Sequence, residues 1–160
     1  MRHYRLPIFL CFLYVFVFPG CKQPNYVSTE MVEGTVTLDG VPVSDAEVTF
    51  YPVQLGVGIS AMGRTDTHGV YRLSSMKGAP EKGTVSGDYY ITVSKYVTKE
   101  IEKPYFDPAQ DAVIKFESKE MVPLAYTDVE TSPLTVTVAE GKNIIDLKLD
   151  SNVIPKKKQY

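Results

Sequence analysis

From Val32 onward, apolar side chains return at every second position, and this period of two constrains the fold more than any other feature of the chain. In residues 32–38, Val32, Gly34, Val36 and Leu38 fall on one side while Glu33, Thr35 and Thr37 fall on the other. A helix would spread those positions around its circumference, whereas a pleated strand gathers them on one buried face. Asp39-Gly40 follows, a pair that tolerates positive φ and marks a tight turn. Ala46, Val48 and Phe50 then alternate with Glu47, Thr49 and Tyr51, and the pattern predicts that this strand pairs with the first.

The alternation continues through Gly63-Arg64-Thr65-Asp66, a turn at Thr67-His68-Gly69, and Tyr71 and Leu73 on one face. Tyr89, Ile91 and Val93 align next, and Leu134, Val136 and Val138 are expected to pair with Ile145, Leu147 and Leu149 as the last two strands. No window carries an amphipathic helix of ten or more residues. About seven short strands at this spacing predict an all-β fold, a single antiparallel β-sandwich over residues 32–150. Residues 94–132 resist the scheme: only 113–116 read as a strand, and prolines and charges interrupt the rest. A connection this long is functional or irregular. It is expected to be a loop anchored by Tyr105, Phe106 and Tyr126, and it is the first place to look for a partner site.

The start of the chain obeys a different rule. Arg2, His3 and Arg5 precede an apolar stretch over residues 6–18, and Pro19-Gly20 lead to Cys21. A basic start, a short apolar run and a small-residue exit are the parts of a secretory signal peptide. Thirteen helical residues reach about 20 Å, short of the roughly 30 Å hydrocarbon core that a spanning helix must cross. The Gly20-Cys21 boundary resembles the lipobox of bacterial lipoproteins, with Phe18 and Pro19 where that pattern has Leu and then Ala or Ser. The resemblance implies cleavage after residue 20 and diacylglyceryl and acyl groups on Cys21. It also explains the cysteine count: Cys11 would leave with the leader, and acylation would spare an exported chain a lone thiol. Two or more acyl chains anchor stably where one is marginal. Lys22 is not the aspartate that marks inner-membrane retention in the better-studied lipoproteins, so the outer membrane is the default address in a bacterial cell envelope.

Residues 21–31 are polar and aperiodic and read as a tether from lipid to domain. The leader holds two of the 17 basic and none of the 19 acidic residues, which leaves 15 against 19, a net charge of −4. A mildly acidic chain gives no footing for nucleic acid. Lys156-Lys157-Lys158 sit in residues 151–160, expected as a frayed, disordered basic tail.

Residues 32–43 (VEGTVTLDGVPV), 46–50 (AEVTF), 63–71 (GRTDTHGVY) and 87–93 (GDYYITV) together resemble carboxypeptidase regulatory-like domains. Pro123-Leu124-Ala125-Tyr126, Thr131-Ser132-Pro133-Leu134 and Gly141-Lys142-Asn143 extend the likeness, which spans most of residues 32–149. It implies a transthyretin-like sandwich. Its motifs are turn glycines, aspartates and alternating apolar positions, so they specify a fold rather than a chemistry.

Catalytic candidates are few. His68 is the one histidine beyond the leader, and although Asp66 lies two residues away, nothing fixes a serine on a sharp elbow beside them. Zinc lacks a second histidine and a thiol. Asp39, Asp45, Asp66 and Asp88 are scattered singly through turns rather than gathered into a calcium loop. No catalytic, cofactor or metal residue is therefore assigned, and the expected protein is not an enzyme. The expected function is a lipid-anchored module for protein contact or envelope structure. The alternative is a carbohydrate-binding module at the envelope, for which the outward Tyr51 and Tyr90 are the candidate ring surfaces in a chain without tryptophan. A small hydrolase ranks last.

Overall fold

A computed structural model describes residues 27–54, 56–75, 83–101 and 115–156. The fold is all-β. In chain order the strands are β1 (Met31–Leu38), β2 (Val41–Pro42), β3 (Glu47–Pro52), β4 (Ala61–Arg64), β5 (Val70–Arg72) and β6 (Ser74–Ser75). There follow β7 (Gly87–Ser94), β8 (Tyr96–Ile101), β9 (Lys115–Glu120), β10 (Thr135–Val138), β11 (Lys142–Ile144) and β12 (Leu147–Leu149). Helical structure among the described residues is one 3-10 turn, Leu124–Tyr126.

Two five-stranded sheets share one buried cluster. The first is built on β1, with β2 and β5 antiparallel on one side and β11 and β12 parallel on the other. The second runs β10-β7-β3-β4-β6 and is antiparallel throughout. The alternation supplies the core: Val32 and Val36 from β1, Val48 and Phe50 from β3, and Tyr89, Ile91 and Val93 from β7 are all buried. Phe50 of the second sheet packs 6.4 Å from the ring of Tyr71 in the first and 5.9 Å from Tyr89. Tilted rings at such separations are favourable beyond the area they bury.

Between β1 and β2, Asp39 (φ 51°) and Gly40 (φ 80°) both adopt positive φ, as the tight turn anticipated there requires. The partner of that hairpin, however, is β2. Residues 46–50 belong to the other sheet, which corrects the expected pairing of the first two strands. The last two do not pair either: β10 lies against β7, while β11 and β12 return to β1. That return makes the fold not wholly antiparallel, because a strand arriving from far along the chain is free of the reversal a hairpin imposes. The surplus over seven strands comes from two-residue pieces, from a final stretch broken at Ile145-Asp146, and from a two-stranded ribbon of β8 and β9 where a loop was expected.

The chain enters at one end of this body. Glu30 pairs with Thr84, its carboxylate accepts the Gly141 N–H at 2.6 Å, and Met31 stands opposite Lys142. Thr84 in turn shares a hydrogen bond of 3.0 Å with the Tyr89 hydroxyl, and Tyr89 is paired with Pro52. Pro52, Gly87 and Val138 therefore lie at the entry end. β7 carries the chain from there to Ser94 at the opposite end, where the β8–β9 ribbon begins. Glu120 closes its base by accepting the N–H groups of Lys95, Met121 and Val122 on one carboxylate oxygen.

Candidate binding face

The outer surface of the second sheet follows from register. Tyr51 of β3 stands beside Tyr90 of β7, and Tyr90 beside Thr135 of β10. One row nearer the entry end, the Val53 N–H donates to the Asp88 carbonyl at 2.9 Å, and Asp88 stands opposite Thr137. Directly paired side chains on one face have Cβ atoms about 4.5–5.5 Å apart, so these six positions form one continuous strip. Tyr51 is 39% exposed. In the next row toward the far end, Thr49 and Thr92 also point outward yet are 9% and 8% exposed, so the open part of the face begins at the tyrosines.

Beside the tyrosines lies a shallow depression of about 340 Å³, lined by Val53, Asp88, Thr135 and Thr137 with Tyr89 and Val136. A second hollow of about 120 Å³ adjoins it at the sheet end, reached through Pro52, Val57 and Gly58. The Thr137 hydroxyl donates to one Asp88 carboxylate oxygen, which fixes the carboxylate at the rim. The hydroxyls of Tyr51, Tyr90 and Thr135 have no partner among the described residues, so their hydrogen-bonding capacity faces outward.

Lys156 reaches the same face. Its N–H donates to the Thr131 carbonyl at 2.9 Å, and its ammonium lies 4.7 Å from the centre of the Tyr90 ring, within cation–π range. The segment leading to it is held by the Ser151 N–H on Asp39 Oδ1 at 3.0 Å. Residues 151–156 thus run along the body, with backbone groups and one aromatic face as partners. Lys157 and Lys158 lie outside the described residues.

His68 and Asp66 are brought together only by their turn. The Asp66 carboxylate accepts the N–H groups of His68 (2.8 Å) and Val70 (2.9 Å), and these bonds, that of Val70 first, hold it below the ordinary aspartate range. The His68 ring meets the Thr67 hydroxyl at 3.3 Å, not a carboxylate. Asp66 therefore shapes a turn and does not orient an imidazole. On the first sheet, Glu33 binds Lys142 at 2.7 Å and Arg72 at 3.2 Å, and these cations lower its pKa. Among the described residues, no three His, Cys, Asp or Glu side chains group closely enough to hold a metal ion, and no helix is long and apolar enough to cross a membrane.

Cys21, the leader before it, and Tyr105 and Phe106 lie outside the described residues. Tyr126 is an anchor: it is buried, and its hydroxyl accepts the Asp150 N–H at 2.9 Å. Sequence alternation found Tyr51 and Tyr90 as outward rings. It missed Val53, Asp88 and Thr137 as their neighbours, since that row requires the three-strand register. Set against family models, curated proteins and solved structures, the chain matches none.

Proposed function

We propose that this chain is a lipid-anchored, non-catalytic module of a bacterial cell envelope, serving in protein contact or envelope structure. In this reading its two sheets form a transthyretin-like β-sandwich, and acyl groups on Cys21 hold it at the membrane, the outer one by default because Lys22 follows. The observation that carries the proposal is Cys21 directly after an apolar leader, followed within residues 21–31 by the first strand. A tether of that length spans at most about 35 Å, so the domain would stay close to the bilayer with its entry end nearest the lipid. The use of Asp66 by its own turn supports a non-catalytic body over a small hydrolase. Cell fractionation tests the anchor: the protein should pellet with membranes, and Cys21→Ser should move it to the soluble fraction. Equal partitioning of both forms would defeat the proposal.

The Tyr51–Tyr90 pairing favours a second reading, a carbohydrate-binding module on the same anchor. Rings on an open sheet face are a surface on which a sugar ring can lie, and the strip places a carboxylate and hydroxyls beside them.

A further inference from the structure

We infer that the outer face around Tyr51 takes pyranose rings of a polysaccharide, with Tyr51 as the stacking surface and Asp88 and Thr135 as the groups that bind sugar hydroxyls. This deepens the second reading above and rests on it.

The tyrosines of the body divide by what their rings and hydroxyls touch. Buried Tyr71 and Tyr89 spend both ends: their rings flank Phe50, and their hydroxyls donate to the carbonyls of Ile145 (2.7 Å) and Val85 (2.9 Å). Tyr51 has neither a ring contact nor a hydrogen bond among the described residues, although it stands two residues from Val53, which lines the hollow on the same face. A pyranose ring is an amphipathic disc, with C–H groups on its faces and hydroxyls around its rim. The C–H face suits an aromatic ring, whose face is electron-rich. The rim needs acceptors and reversible donors, which a carboxylate and a threonine hydroxyl supply. The hollow lined by Val53, Asp88, Thr135 and Thr137, about 340 Å³, falls at the small end of ligand-binding clefts and matches a short length of sugar chain.

Lys156 adds a consequence. Its ammonium already lies over the Tyr90 ring, so one of the two rings is occupied from within the chain. A glycan resting on Tyr51 and extending toward Tyr90 must displace that side chain. Removing it should therefore lengthen the available strip.

The test is retention of the full-length protein, purified in detergent, on insoluble cellulose, chitin, starch granules and peptidoglycan sacculi. At least one of these should retain the wild type. Tyr51→Ala should weaken retention about tenfold, the loss of one ring stack, while Tyr51→Phe keeps it. Asp88→Asn should weaken it as well, and Lys156→Ala should strengthen it. Tyr51 is exposed, so an unchanged melting temperature will show that Tyr51→Ala remains folded. Retention of the wild type by none of the four solids, or equal retention of wild type and Tyr51→Ala, overturns the inference. A loss confined to Cys21→Ser would overturn the sugar site too, while leaving the anchor standing.

Discussion

The Tyr71 hydroxyl donates a 2.7 Å hydrogen bond to the carbonyl of Ile145, the same carbonyl that overlies the Cα of Gly34. One oxygen thus ties β5 to the break between β11 and β12 and passes directly across β1. The break itself is stitched to β1 by the Ile145 N–H on the Glu33 carbonyl and the Thr35 N–H on Asp146. Gly34 is required because any Cβ there would collide with the Ile145 backbone, whose carbonyl and N–H are both held by hydrogen bonds.

Tyr71→Phe leaves the ring in the core and the Ile145 carbonyl without its donor, and should cost about 1–2 kcal/mol. Gly34→Ala should cost more, about 3 kcal/mol or above, because backbone must move to admit the methyl. Urea unfolding monitored by circular dichroism gives both values, and the order of the two variants is the decisive point.

The pH dependence of stability has two limbs with different owners. Burial, with the Asp146 charge behind it, raises the Tyr71 pKa well above its ordinary 10. The unfolded chain releases that proton from about pH 10 while the folded one keeps it, so stability is constant below that point and falls above it. Asp66 behaves oppositely. Its pKa is lowered by the Val70 and His68 N–H groups, so its contribution is full above the ordinary aspartate range and is lost as pH falls through the folded value. Tyr71→Phe should flatten the alkaline limb, and Asp66→Asn should reduce the acid limb, to which Glu33 also contributes through Lys142 and Arg72, in melting temperature measured against pH.

Thr65 holds the bend before β3. Its hydroxyl donates to the Val43 carbonyl and accepts the Ala46 N–H, both at 2.7 Å, around Asp45, which has φ 57°. Thr65→Val keeps the shape and strands both backbone groups in a buried place, at a cost of about 2–3 kcal/mol. Thr65→Ser, which keeps the hydroxyl, should recover most of that loss in the same urea titration.

Glu120→Ala should loosen the ribbon without unfolding the body. Three backbone donors converge on its one oxygen at the base of β8–β9, and the ribbon pairs with no other sheet. Two strands alone are marginal in water. Amide exchange at Lys95 and Val122 should rise by about tenfold or more, with β3 and β7 unchanged.

What the sequence disclosed was orientation, and what it withheld was adjacency. A period of two sorts side chains between faces, so Val32, Val48, Phe50, Ile91 and Val93 are read correctly as core. The same period is silent on which strand lies beside which. Residues 32–38 and 46–50 alternate alike and yet occupy different sheets, and β1 takes partners more than a hundred residues away. The candidate site shows the same division. Tyr51 and Tyr90 are legible as outward rings, but the placement of Asp88 beside Thr137, and of Lys156 over Tyr90, depends on long-range register and on the path of the last segment. Residues 94–132 misled because charged residues fill four of the six positions of β9, and a ribbon exposed at residues 96–99 and 117–119 has no buried apolar stripe to read.

Anchoring through Cys21 is tested most directly by the intact mass of the protein purified from membranes, measured beside Cys21→Ser. The wild type should have lost residues 1–20 and gained the mass of a diacylglyceryl group and further acyl chain, while the variant should have gained none. A wild-type mass equal to the uncleaved, unmodified chain would contradict that anchoring.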